Sequence, residues 1–145
     1  MSSYHPIALQ IFEEIRAEFP ELSAELHSVN AYNEPELRFP QQTNLVFEVV
    51  LELDGDELHC SAEEFRMCSF PVDDADRTTA FKDAVVGLIN GEHRILQHYR
   101  GDRVVKSVLQ RKTSEEWEPI YTASSLSWSW PWLRKQNRVI KNDYL

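Results

Sequence analysis

Three residues of this sequence group most readily into a chemical site: His59, Glu48 and Glu52. Leu45, Phe47, Val49, Leu51 and Leu53 alternate with Val46, Glu48, Val50 and Glu52. That period of two marks a strand with one apolar face and one mixed face. Asp54-Gly55 reads as a two-residue hairpin turn. Closing the chain there pairs Leu51 with Leu58, Val49 with Cys60 and Phe47 with Ala62. His59 then lies opposite Val50, with Glu48 and Glu52 on the same face. An imidazole between carboxylates can move a proton near neutral pH. A half-exposed polar sheet face produces the same pattern with no function attached.

Other catalytic spacings are missing. The sequence has no G-x-S-x-G elbow, no dinucleotide or phosphate-loop glycine pattern, and no H-E-x-x-H. Cys60 and Cys68 are too far apart for a thioredoxin-like pair and read as small buried hydrophobes in a reduced protein. Cys60 is expected to face inward. His93 and His98 fall on opposite faces of one expected strand and do not share a ligand. The sequence therefore predicts no metal centre and no cofactor.

Two further stretches are candidates for binding. Arg94, Arg100, Arg103, Lys106, Arg111 and Lys112 can track a phosphate backbone, with Tyr99 available for stacking. Their charges split between both strand faces, and the chain as a whole is acidic, so nucleic acid is disfavoured. Trp128, Trp130 and Trp132 would project to one side of an extended chain, close to Arg134 and Arg138. Either these indoles lie as a strap that completes the core, or they form an aromatic and basic patch that docks a partner.

Two helices must position these groups. Pro6 suits a helix start, and Ala8, Ile11, Phe12, Ile15 and Phe19 follow at helical spacing before Pro20. Asp73, Asp74 and Asp76 cap a second helix striped by Phe81, Ala84, Val85, Leu88 and Ile89, which Asn90-Gly91 ends. Strands are expected over 65–70, 93–99, 103–112 and 117–123, the last at an edge because Pro119 lacks a donor. A turn at Gly101-Asp102 sets Ile95 opposite Val108 and Leu96 opposite Ser107. Residues 26–32 fit either a helix or a strand, and the end of the chain is read as a short helix.

The fold class is therefore α+β: an antiparallel sheet of about five to six strands with two main helices packed on one face. The 145 residues, with 42% hydrophobic content, fit a single domain over 1–145, with 124–145 as an aromatic and basic C-terminal segment. Net charge is −9. Residues 1–76 carry 17 Asp/Glu and 3 Lys/Arg, a balance of −14; residues 77–145 carry 7 and 12, a balance of +5. If both halves contribute to one sheet, that asymmetry largely cancels in space.

The order of elements is similar to that of small acidic secretion chaperones, and the similarity implies a dimeric binder of extended polypeptide. No leader and no membrane span are read, which points to a cytoplasmic protein. The function expected is a non-enzymatic protein-binding or accessory domain, with another protein or a second copy (a homodimer) as partner. One alternative is a small enzyme or ligand-binding domain around His59. The other is nucleic-acid contact through the 94–112 hairpin.

Overall fold

A computed structural model describes residues 4–28, 33–124 and 132–143. In chain order the elements are α1 (His5–Glu18), β1 (Glu25–Ser28), β2 (Pro35–Phe39), β3 (Val49–Asp54), β4 (Glu57–Ala62), β5 (Phe65–Ser69), α2 (Ala75–Asn90), β6 (His93–Arg100), β7 (Arg103–Lys112), β8 (Trp117–Ser124) and β9 (Lys135–Ile140). The protein is α+β, with two helices and two antiparallel sheets. The first sheet runs β1-β2-β3-β4-β5 and the second β8-β7-β6-β9. Each sheet is therefore built from one stretch of the sequence.

Both helices form where the apolar stripes require them. On α1, Ala8, Ile11, Phe12 and Ile15 are buried, and Pro6 sits in the first turn. On α2 the Asp74 side chain accepts a hydrogen bond from the Arg77 amide, and Gly91 takes the left-handed cap conformation at φ 86°. The helices pack on each other and on the first sheet, over Leu37, Phe39, Val49, Leu51, Leu58 and Phe65. Ile95, Leu109 and Ile140 of the second sheet join the same apolar cluster. Tyr121 on β8 stacks edge-on against Phe65 on β5 at 5.9 Å, where the two sheets meet.

Several expected pairings move. The β3–β4 hairpin pairs Leu53 with Leu58, Leu51 with Cys60 and Glu52 with His59, two residues from the expected register. The turn residues are Gly55 and Asp56, with Gly55 at φ 64° in the first turn position, where a left-handed backbone favours glycine. A shift of two keeps every side chain on its expected face. The β6–β7 hairpin does turn at Gly101-Asp102, but its register slips by one between His98 and Tyr99. Ile95 then faces Leu109, and Leu96 faces Val108. A bulge inserts one residue into a strand and so reverses the faces beyond it.

The end of the chain also differs from expectation. Residues 135–140 form β9, antiparallel to β6, instead of a short helix. Within the uncertain stretch 26–32, residues up to Ser28 are strand, and 29–32 fall outside the described residues. β8 is an edge strand, as Pro119 predicts. No helix among the described residues is long and apolar enough to cross a membrane.

Candidate functional site

The polar face of the first sheet carries a transverse row: His27, Glu36, Glu52, His59 and Cys68 are successive cross-strand partners. The pleat makes this row. Helix-facing Leu58 and Cys60 flank His59 on β4, so His59 must point the other way, with Glu57 beside it. The structure thus brings His59 and Glu52 together as expected, but not Glu48. The Arg38 guanidinium takes Glu48, with Nη1 donating to Oε1 at 2.6 Å, while Nη2 and Nε donate to Glu36. Those two carboxylates, Glu48 first, raise the Arg38 pKa further.

His59 gains different neighbours instead. Its Nε2 lies 3.1 Å from Glu57 Oε2, without hydrogen-bond alignment. Cys68 Sγ, from the adjacent strand, donates to the same Glu57 oxygen at 3.7 Å. The Cys68 amide is held in turn by Tyr121 Oη at 3.3 Å. Ligand-type atoms of Glu57, His59 and Cys68 all lie within 4.8 Å of one another. Burial, and then the Glu57 charge, push the Cys68 thiol pKa up. Cys60 faces the helices, as expected, and full burial pushes its thiol up to about 12, so it is no nucleophile.

A groove of about 640 Å³ opens beside Cys68, between β5, α2 and β8. His93 lines it, with Nδ1 3.3 Å from the Ala84 carbonyl, and Arg111 lines it while paired with Glu118. Burial lowers the His93 pKa most and Arg111 lowers it further, against the Ala84 carbonyl, Glu92 and Asp83. The folded protein thus binds the His93 proton less readily than the unfolded chain does. Stability from this group is complete above the ordinary histidine value of about 6.5 and is lost as pH falls toward the depressed folded value. The wild type should therefore lose more stability than His93→Gln between about pH 7 and 5. Parallel slopes in urea titrations across that range would refute the assignment.

The second sheet presents a different surface. Its outer face, turned away from the apolar cluster, carries Arg94 and Arg100 on β6, Arg103, Lys106 and Lys112 on β7, and Lys135 on β9. No Asp or Glu of the described strands projects from it. The expected split of these cations between two faces holds only for Arg111, which pairs with His93 on the inner side. Val139, Leu96, Val108 and Thr122 form a row across the middle of the outer face. Val139 is 47% exposed. Arg94 lies over the Trp117 ring at 4.2 Å.

Charge is consequently segregated instead of cancelled. Residues 25–69, which span the first sheet, hold 10 Asp/Glu and 2 Lys/Arg, a balance of −8; residues 93–140, which span the second, hold 4 and 9, a balance of +5. Arg134 and Arg138 are exposed at β9, and Trp132 just before it is 73% exposed, which excludes a core-filling strap at that indole. Trp128 and Trp130 lie outside the described residues.

Comparison with known proteins finds no matching family model, no matching curated protein and no matching solved structure.

Proposed function

We propose that this protein is a non-enzymatic binding domain whose second sheet docks an acidic protein surface. The observation that carries this reading is the outer face of that sheet, with six Lys or Arg side chains and no described strand carboxylate. Like charges crowded on one face repel, and an anionic partner relieves that repulsion while steering its own approach. The row of Val139, Leu96 and Val108 supplies an apolar centre, and the cations surround it, which is the anatomy of a protein interface. Trp132 and Arg134 lie just before β9, beside the Lys135 end of the patch, whereas Arg138, opposite Gln97, projects from the other face of that edge strand.

A protein fits this face better than a nucleic acid does. Trp117 is the single aromatic of the described strands projecting from it, and Arg94 already covers that ring. Tyr99 turns to the inner face, where its hydroxyl donates to Gln97. On the described strands of this face, that covered ring is the one stacking platform a base would find.

The test uses a fluorescein-labelled peptide of alternating Glu and Val, followed by anisotropy at low salt. Reversing two exposed cations in Lys106→Glu/Lys135→Glu should weaken its binding by roughly tenfold, and added salt should weaken the wild type similarly. Equal binding by variant and wild type would overturn the reading. So would tighter binding of a single-stranded oligonucleotide of matched charge. Self-association that disappears in the variant would name the acidic sheet of a second copy as the docked surface.

A further inference from the structure

We infer that Glu57, His59 and Cys68 form a binding site for a zinc-class divalent cation at the junction of the two sheets. Residues 57 and 59 share a face because they are two apart on β4, and β5 sets Cys68 directly opposite His59. One nitrogen, one sulfur and one carboxylate oxygen therefore converge within 4.8 Å. The Glu57–His59 and Glu57–Cys68 separations are 3.1 and 3.7 Å. A tetrahedral ion at bond lengths of about 2.0–2.3 Å needs ligand separations of this order.

A second observation points independently to a ligand. His59 is 8% exposed, and both of its ring nitrogens are buried without a hydrogen bond. A buried imidazole without an aligned hydrogen bond at either nitrogen is costly, and one metal bond at Nε2, shared with the neighbouring Glu57 carboxylate, satisfies that atom. Mixed nitrogen, sulfur and oxygen donors select zinc over magnesium or calcium, which prefer oxygen alone. Tyr121, holding the Cys68 amide from β8, fixes the sulfur-bearing strand and ties the site to the second sheet. Three protein ligands leave a fourth position for water or an incoming group. On binding, the Cys68 thiol gives its proton to solvent and the sulfur donates an electron pair to the ion, with no change of oxidation state.

The site lies on the first sheet, apart from the docking face of the second. Cobalt(II) added to the untagged protein should give a thiolate charge-transfer band in the near ultraviolet, with visible bands of tetrahedral coordination. Cys68→Ser should abolish the thiolate band, and Glu57→Gln, at a half-exposed position, should weaken zinc affinity by at least about tenfold in competition with a chromophoric chelator. Zinc should also shield Cys68 of the wild type from alkylation, a readout that needs no variant. Cobalt binding without a thiolate band would overturn the site, as would an alkylation rate unaltered by zinc.

Discussion

Replacing Asn142 by alanine is expected to cost the protein roughly 3 kcal/mol of folding stability, because it strands three backbone groups at once. Asn142 follows β9 and is fully buried. Its Nδ2 donates to the Asn44 carbonyl at 2.8 Å and to the Ile89 carbonyl, while its Oδ1 accepts from the Val46 amide at 2.9 Å. One side chain thus joins the segment before β3, the last turn of α2 and the chain after the second sheet. Alanine leaves those backbone groups inside without partners, and each unpaired group carries its own desolvation cost. The urea midpoint should fall with little change in the slope of the transition. A loss below about 1 kcal/mol would show that these bonds are replaced by others.

Gly87→Ala is expected to destabilise by about 1–3 kcal/mol, although alanine is the better helix former by roughly 0.5–1 kcal/mol. The reason is local. The His93 ring folds back from β6 onto α2, held by Ala84, and a Cβ at position 87 would overlap it. The helix backbone and the first strand residue approach so closely that only hydrogen fits between them. Removing the ring in His93→Ala should cancel the penalty, so that adding Gly87→Ala to that background becomes neutral or stabilising. Additive losses in the double variant would place the cost elsewhere.

Local signals made much of the fold legible. The α2 caps, Asp74 and Gly91, are local chemistry and lie where their residue types predict. The faces of β3 and β4 were readable because a sheet face depends only on parity. Their register was not, because both Asp54-Gly55 and Gly55-Asp56 can supply a two-residue turn, and glycine occupies the first position of the second. The β7 bulge carries no sequence mark, yet it gathers Leu109 inside and Lys106 and Lys112 outside. β2 and β9 lack clean alternation. Pro35 and Pro40 bracket the one, and cations crowd the other, so neither resembled a strand without its partner.

The site was half legible for a related reason. His59 and Glu52 share a face by parity, but Cys68 reaches them only across the turn at Glu63-Glu64, where Glu63 takes φ 53°. Reading that dipeptide as a two-residue turn would have set position 68 opposite 59. A zinc-type spacing was never visible, because the ligands come from adjacent strands, not from one compact motif. The charge asymmetry was plain in the sequence, but not its segregation, which follows from each sheet using a separate stretch of chain.

The central claim is that the outer face of the second sheet is the docking surface. Amide chemical shifts of isotopically labelled protein, followed as the acidic Glu/Val peptide is added, test it most directly. The account predicts shifts concentrated on β6, β7 and β9, around Leu96, Lys106, Lys135 and Val139, and fading as salt is raised. Shifts concentrated on β1 to β5, or scattered over both sheets without saturation, would contradict it.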